Sequence, residues 1–465
     1  MIHLDEVFPL RSAQLSAALE SAPRRLLSAS VRVDYGRSLQ LDDPRYVRTT
    51  LARGELFEQH FQLALGYDGT DVELADIHPE GQHLLLFGHV GCGKSTELRH
   101  LAEALHHPRR YWVVQVDLQT LIDTNNARLS DIWLAVVGEL VRRLEEARIA
   151  IPEEHLAKFQ AWFSEHIVTH EKWRDASASA ALDVEAGGGI PLLARLLGRV
   201  TSALRFSSTR KDTLRTVVRE TYENFAASLN SLIQASTQAL RLAGLARQVL
   251  FVVDGIDRFR PEDWRRLFLD EVNQMAQIRC FAVYAVPMAL KVSGLRLSAF
   301  KRVVLPMVKL VEADGVTRRA EAFDALRELV LKRCHHSLFA DLRSLDRLIE
   351  FSGGHLRDLL RLVDFACTRT RGPLIDQAAV DAAVAEVGSD YRDHLSEAHY
   401  RLLVRADQRT TNLGSSEEVA DLVERGALLE YNAGSWRQTH PVVRSLAGYQ
   451  YAASIELPPV VKEAA

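Results

Sequence analysis

One eight-residue segment, Gly88-His89-Val90-Gly91-Cys92-Gly93-Lys94-Ser95, constrains this chain more than any other feature. It fits the pattern GxxxxGK[ST] at every defined position. The apolar run 83–88 before it predicts a buried strand, and the pattern of 94–105 predicts a helix. Glycines in such a turn let successive backbone N–H groups surround phosphate oxygens, with the positive end of the helix dipole behind them. The segment therefore predicts a phosphate-binding loop in an α/β fold.

The chemistry of this loop predicts the cofactors ATP and Mg²⁺. Lys94 would reach the β- and γ-phosphates, and the Ser95 hydroxyl would be a ligand of Mg²⁺. Lys94 is the only lysine before Lys158, so chance rarely explains a lysine-containing motif here. His89 and Cys92 are expected to fill the loop rather than to act as metal ligands or nucleophiles. The predicted nucleotide-binding residues are Gly88, His89, Val90, Gly91, Cys92, Gly93, Lys94, Ser95 and Thr96.

A second motif supplies acidic groups. The run 248–254 predicts a buried strand that ends in Asp254, where an open α/β sheet places ligands, so Asp254 is the predicted Mg²⁺ anchor, acting through water. The next residue is Gly255, where many ATPases carry a catalytic glutamate. Asp257 is the nearest substitute, with the alternative that it is the N-cap of the following helix.

Further apolar runs at 111–117, 280–286 and 302–311 alternate with helical patterns. Buried strands that alternate with helices indicate a parallel sheet covered on both faces. The predicted fold class is therefore α/β, a three-layer P-loop NTPase sheet. Segment 315–387 is helical only, and the last part predicts helices followed by a hairpin around Asn432-Ala433-Gly434.

The motifs GHVGCGKS and VLFVVDGID resemble those of P-loop ATPases of the AAA+ and STAND type, the second being closest to the DGxD form of NACHT and related STAND proteins. The segment FSGGHLRDLL (351–360) resembles the sensor-2 helix of origin-recognition-like AAA+ and STAND proteins, in which an arginine reaches the γ-phosphate. The resemblance implies that Arg357 is this sensor; a solvated helix arginine is the alternative. The predicted catalytic residues are Lys94, Asp254, Asp257 and Arg357.

Two parts of that family pattern are less well matched. The fourth strand offers only Tyr284, or the backbone near Val286 and Pro287, to contact the attacking water. An arginine finger acting in trans would lie just before the fifth strand, where Arg296 and Arg302 stand. Ordinary surface charge is the alternative for both arginines.

The length of the chain predicts several domains. Lys94 and Asp254 are 160 residues apart, more than a compact core needs, so we predict a helical insertion over about 120–247. The predicted division is an N-terminal helical arm (1–50), an ATPase core (51–314), a helical lid (315–387), a winged-helix-like domain (388–455) and a tail (456–465). The glycine-rich loop 187–189 and the apolar stretch after it are either a partner-docking or ring-forming element or a packed internal helix.

Charge argues against a protein that coats nucleic acid, because 57 Lys and Arg oppose 61 Asp and Glu, a net charge of −4. The candidate recognition helix 415–425 carries four acidic residues and one basic residue, which would repel phosphates. Arg437, His440 and Arg444 in the hairpin region leave weak DNA contact open. The four cysteines form no CxxC pair, and no signal peptide or apolar membrane span is evident, so we expect a cytoplasmic protein without a membrane partner.

These features predict an ATP-dependent switch that couples nucleotide state to self-assembly or to a partner effector, with slow hydrolysis because of Gly255. The expected partners are further copies of the chain and a protein effector or co-complex subunit. The resemblance implies bacterial signalling ATPases, including those of anti-phage defence. Two alternatives stay open: a DNA-remodelling or replication- or transposition-type AAA+ ATPase, and a structural subunit that binds ATP without hydrolysing it.

Overall fold

The computed structural model describes residues 13–54, 56–67, 81–152, 208–408, 413–431 and 436–456, together with 2, 7, 8, 74, 155, 159, 161, 162, 193, 197, 198, 200 and 205. The predicted loop at 187–189 lies outside the described residues. Among the described helices, none is long and apolar enough to cross a membrane.

Five parallel strands form the central sheet: β1 (Gln82–Gly88), β2 (Tyr111–Asp117), β3 (Gln248–Asp254), β4 (Phe281–Pro287) and β5 (Lys301–Val304). Their order is β2-β3-β4-β1-β5. Because all strands run the same way, their carboxyl ends meet at one edge. At that edge Gly88 is level with Pro287, and Asp117 is level with Asp254. The α/β P-loop fold class expected from the sequence is confirmed.

Helices cover the sheet, and their apolar residues share its core. Trp133, fully buried in the helix Leu129–Glu146, meets the ring of Phe251 on β3 edge-on, 6.4 Å between centroids. The helix Tyr222–Leu242 also lies against β3. These two helices of the region predicted as an insertion therefore cover the sheet directly. The helices as far as β5 are Ala13–Glu20, Leu26–Val33, Thr50–Arg53, Leu56–Ala64, Lys94–Leu105, Leu118–Leu121, Leu129–Glu146, Ser208–Glu220, Tyr222–Leu242, Pro261–Leu269, Val272–Ala276 and Met288–Val292.

β5 is shorter than the run 302–311 suggests. The backbone N–H of Leu305 still donates to Phe87 O at 2.8 Å, but Pro306 has no N–H to continue the ladder. Beyond it, Lys309 N donates to Ala52 O, so the chain leaves the sheet edge there. The strand prediction was therefore too long at its carboxyl end.

Four helices follow the sheet: Ala320–Leu331, Leu342–Ser352, Leu356–Arg369 and Gln377–His394. Gly353 and Gly354, with φ of 59° and 81°, separate the second from the third, and the His355 side chain caps the third by accepting from Asp358 N. We call Ala320–His394 the helical lid. Its last helix runs through the predicted boundary at 388 without a break.

The C-terminal part, which we call the tail module, covers 397–456. It contains the helices Glu397–Gln408 and Glu417–Glu424, an antiparallel pair of strands, β6 (Leu428–Tyr431) and β7 (Trp436–Thr439), and the helices Pro441–Arg444 and Ala447–Glu456. The predicted hairpin is confirmed as this strand pair; the turn residues 432–435 between the strands lie outside the described residues.

Candidate nucleotide-binding site

The phosphate loop joins β1 to the helix Lys94–Leu105. Gly91 and Gly93 have φ of 92° and 95°, in the left-handed region that favours glycine, and Gly93 is the N-cap of the helix. Behind the loop, the guanidinium of Arg53 donates to Cys92 O at 2.6 Å and to Thr49 Oγ1 at 2.8 Å. The loop is thus held from behind, while its front faces a cleft.

Lys94 is fully engaged by protein groups in this structure. Its Nζ donates to Gly88 O at 2.8 Å and to His89 O at 2.9 Å, and lies 2.8 Å from Asp257 Oδ2. Asp257 lies on the turn Ile256–Arg258, and the helix Pro261–Leu269 begins only after Arg260. Asp257 is therefore the counter-ion of Lys94 rather than the N-cap of that helix.

Asp254, at the end of β3, faces the first turn of the phosphate-loop helix. Burial and the neighbouring Asp257 raise the pKa of Asp254, while a hydrogen bond from the Ser95 hydroxyl opposes the rise. Asp117 on the adjacent strand raises it further. A hydroxyl and several carboxylates beside a phosphate loop are the hard oxygen ligands that Mg²⁺ prefers. The residues present therefore fit the predicted metal site of Ser95 and Asp254.

The lid touches the phosphate loop through the start of its third helix. Arg357 N donates to Gly91 O at 3.1 Å, and His355 Nε2 donates to Val90 O at 2.8 Å. A Cβ on Gly91 would come within 2.8 Å of Arg357 Cβ. The absence of a side chain at Gly91 is what allows the lid to approach this closely.

Two guanidinium groups line the cleft in front of the loop. Burial and the charge of Arg258 both lower the pKa of Arg357. Within the described part of the chain, neither arginine has a side-chain hydrogen bond or ion pair. The charges of Asp257 and Asp358 oppose this lowering of the Arg357 pKa. Two adjacent guanidinium groups that form no ion pair nevertheless favour an anionic ligand between them. No signal in the sequence distinguished Arg258 from the other arginines of the chain.

An N-terminal segment forms the opposite wall of the cleft. Leu39 N donates to Thr96 Oγ1 at 3.1 Å, and the ring of Tyr46 stacks on His100 at 3.7 Å. Tyr46 and Thr49 both donate to Glu97 on the phosphate-loop helix. This wall was not expected from the sequence, which predicted a helical arm over 1–50, whereas residues 34–49 contain no helix. Its cleft-lining residues are Asp34 to Leu39, Arg45 to Val47, and Thr49.

The tail module also touches the phosphate loop. The backbone N–H of Glu430, on β6, donates to His89 Nε2 at 2.9 Å. Burial, followed by the charges of His355 and Lys94, lowers the pKa of His89 to about 3. His89 is therefore neutral and able to accept this bond. The predicted filler of the loop is thus also its contact with the tail module.

Lid and tail module meet at the buried carboxylate of Asp358. His355 Nδ1 and His440 Nε2 lie 3.2 Å from Asp358 Oδ2, Tyr391 donates to the same oxygen at 2.8 Å, and Arg361 donates to Oδ1 at 3.0 Å. Burial alone would raise the pKa of Asp358, but the neighbouring His355 and His440 hold it well below its usual range. Burial lowers the pKa of His440. A continuous chain of contacts therefore runs from the tail module through Asp358 and His355 to the phosphate loop.

The other predicted site residues are placed as follows. The hydroxyl of Tyr284 lies 2.9 Å from His83 Nδ1, near the amino end of β1, so it points away from the phosphate loop. Pro287, at the carboxyl end of β4, carries no polar side chain. Arg296 and Arg302 are exposed near and on β5, and neither has an ion pair within the described ranges.

The candidate recognition helix, Glu417–Glu424, packs against the helix Met288–Val292 of the sheet domain. The buried residues of this helix are Val419, Ala420, Leu422 and Val423. Glu417 lies 3.7 Å from Arg265. One face of this helix is therefore covered by the protein itself.

One further cluster of potential metal ligands lies between the N-terminal helix and the lid, formed by Glu20, His335 and His336. His335 Nδ1 accepts from Ser337 N, so its Nε2 carries the proton and faces Glu20 Oε2 at 3.4 Å. His336 Nδ1 donates to Ile2 O at 2.9 Å. Hydrogen bonds within the protein thus account for this cluster.

The strand order and the phosphate loop define a P-loop ATPase fold, and comparison narrows the class. Residues 73–274 match the family described as AAA ATPase domain. The chain therefore contains a P-loop ATPase domain of the AAA+ class. Among solved structures, Cdc6p from Pyrobaculum aerophilum is similar at 15% identity with a TM-score of 0.36, over 89% of this chain and 97% of that chain. No curated protein matches the chain.

Proposed function

We propose that this protein is an ATP-binding, slowly hydrolysing switch whose nucleotide state sets the position of the lid and the tail module. The observation that carries the proposal is the set of contacts on one loop. His89 accepts from the tail module, while Val90 and Gly91 accept from the lid. A phosphate group bound by this loop would act on residues that both modules touch.

Nucleotide binding would use the loop Gly88 to Thr96. Lys94 would exchange Asp257 for the β- and γ-phosphates, because one ammonium group cannot keep all its present partners and also bind phosphate. Ser95 and Asp254 would hold Mg²⁺, which when bound neutralises phosphate charge. Arg357 would contact the γ-phosphate, and Arg258 lies close enough to place a second positive charge beside that phosphate.

Turnover would be slow for two structural reasons. Gly255 leaves the position after Asp254 in the sequence, where many ATPases carry a catalytic glutamate, without a carboxylate. In addition, β4 ends in Pro287, which has no side-chain hydrogen-bonding group to orient water. A site that binds ATP firmly and hydrolyses it slowly suits a switch better than a motor, since the bound state persists.

The proposed division is an arm, an ATPase core with a helical insertion, a lid and a winged-helix-like tail module. The two helices followed by the strand pair β6–β7 support the last assignment. Release of the tail module would expose the apolar surface now packed on the helix Met288–Val292. We propose that this surface mediates self-assembly or effector binding, in the manner of bacterial signalling ATPases, including those of anti-phage defence.

The substitution Lys94→Ala tests the proposal. We expect it to remove binding of a fluorescent ATP analogue and to remove ATP-dependent assembly measured by mass photometry. Lys301→Ala, which removes an exposed lysine on β5, is the control for nucleotide binding. If Lys94→Ala assembled with ATP as the unmodified protein does, the switch would not operate through this loop.

A further inference from the structure

We infer that Asp117, at the carboxyl end of β2, is the catalytic carboxylate that holds the attacking water during ATP hydrolysis. The inference rests on the proposed binding of ATP at the phosphate loop. It assigns the role of the glutamate that is missing after Asp254 to the neighbouring strand.

The register of the sheet places Asp117 beside Asp254. β2 and β3 are parallel neighbours, and Asp117 pairs with Asp254 as the last residue of each strand. Paired residues on adjacent strands lie about 5 Å apart and point to the same face. Val113 on β2 and Val252 on β3 pack in one cluster with Leu98 of the phosphate-loop helix. Because alternate residues of a strand share a face, Asp117 and Asp254 lie on that same side of the sheet.

The position after Asp254 cannot carry the usual acidic side chain. Gly255 has a φ of 100°, where any residue with a Cβ is strained. A Cβ there would point toward the chain just after β2, 3.4 Å from Gln119 Cγ and 3.5 Å from Leu118 Cβ. This backbone geometry also starts the turn that brings Asp257 to Lys94. The chain therefore has no glutamate at position 255, and a carboxylate stands instead at the end of the neighbouring strand β2.

Three other carboxylates close to the loop have partners. Asp254 accepts from Gly255 N at 2.9 Å, and Asp257 pairs with Lys94. Glu97 is occupied by Thr49 and Tyr46.

One carboxylate oxygen of Asp117 is held by a hydrogen bond, and the other is available to a ligand. Its Oδ1 accepts from Gln119 N at 3.1 Å, which caps the short helix Leu118–Leu121. Within the described part of the chain, its second carboxylate oxygen has no donor, and the residue is half-buried. A fixed carboxylate with one free oxygen is what water positioning requires.

The proposed step is the in-line attack of water on the γ-phosphorus. The water oxygen forms a bond to the γ-phosphorus while the bond from that phosphorus to the β–γ bridging oxygen breaks. ADP leaves with the electron pair of that bond. The free oxygen of Asp117 accepts the hydrogen bond from the water and takes its proton, so the products are ADP and inorganic phosphate.

The experiment compares Asp117→Asn with Asp257→Asn in the full chain, with Mg²⁺ and ATP present. Asp117→Asn would keep the cap on Gln119 N, since the oxygen of an asparagine side chain also accepts. We expect Asp117→Asn to bind a fluorescent ATP analogue with unchanged affinity but to lose about 10²-fold or more in phosphate release. Nucleotide recovered after gel filtration should be ATP from this variant and ADP from the unmodified protein. Asp117→Glu should restore part of the rate.

Asp257→Asn should instead bind ATP more tightly, because it frees Lys94 from its counter-ion. If Asp117→Asn released phosphate at the unmodified rate, or if Asp257→Asn alone trapped ATP, the assignment to Asp117 would be overturned while ATP binding stood. If the unmodified protein bound no ATP, the proposed function itself would fail, and that result is distinct from the first two.

Discussion

We predict that Gly353→Ala, which adds one methyl group at the end of a lid helix, weakens the contact between the lid and the tail module. A Cβ on this residue would lie 2.8 Å from Pro441 Cδ and 2.9 Å from Leu429 Cδ1. Both partners belong to the tail module, and Tyr431 also donates to Gly353 O at 2.6 Å. Because the proline ring cannot rotate away, Gly353→Ala must displace the tail module or the end of the lid helix.

The expected cost has two parts. Gly353 has a φ of 59°, so an alanine there costs about 1–2 kcal/mol in the left-handed region. Overpacking against Pro441 and Leu429 adds about 1–3 kcal/mol. Gly414→Ala is the matched control, because Gly414 has a φ of 65° but no atom within 4 Å of its Cβ position. We expect Gly353→Ala to lose about 1–3 kcal/mol more in the free energy of unfolding than Gly414→Ala.

Denaturant titration of both variants measures that difference, and hydrogen exchange shows where it acts. Exchange should rise at β6 and at Pro441–Arg444 in Gly353→Ala only. Assembly without ATP should also rise in this variant, if the docked tail module holds the protein in its unassembled state. Equal stability losses in the two variants would refute the packing argument. Faster exchange without assembly would separate tail release from the switch.

Two further predictions concern the same contacts. The pKa of His89 is lowered to about 3 in the folded protein, so between that pH and about 6.5 the unfolded chain binds one more proton than the folded chain. The free energy of unfolding should therefore fall as pH decreases, by up to about 1.4 kcal/mol per pH unit from this group. His89→Gln should remove that part of the slope in denaturant titrations from pH 7 to 4. Glu430, whose side chain is fully buried, pairs with Lys291 of the sheet domain and with Arg437 on β7. Glu430→Gln should therefore lower the free energy of unfolding by about 2–4 kcal/mol. The control Glu418→Gln, at an exposed position of the tail module, should change it by less than about 0.5 kcal/mol. Equal effects of the two substitutions would show that the ion pairs of Glu430 contribute nothing.

The sheet and the phosphate loop could be predicted because their signals are local. The strands at 111–117 and 248–254 are predominantly apolar runs that end in aspartate, and the helix from Lys94 to Leu105 has its periodicity and its glycine cap in the sequence itself. The structure has all three as expected. The error at β5 arose because apolar residues after Pro306 continue the run although the hydrogen-bonding ladder ends.

The walls of the cleft could not be predicted, because they depend on contacts between distant parts of the chain. Nothing near Leu39 or Tyr46 indicates that they lie against the phosphate-loop helix, and Arg258 looks like any other arginine of an arginine-rich chain. The sequence predicts Asp117 as the last residue of a strand. Its pairing with Asp254, however, requires the strand order, which periodicity does not contain.

The N-terminal wall of the cleft has a consequence for how the protein is made. Arg333 donates to Arg45 O across 288 residues of sequence, and Lys332 donates to Tyr46 O across 286. Contacts of such sequence separation close late in folding, because the loop between them must first be ordered. A ribosome-bound chain that ends before the lid therefore has the phosphate loop but not the finished cleft. Tight nucleotide binding would then mark the chains whose synthesis and folding have passed the lid.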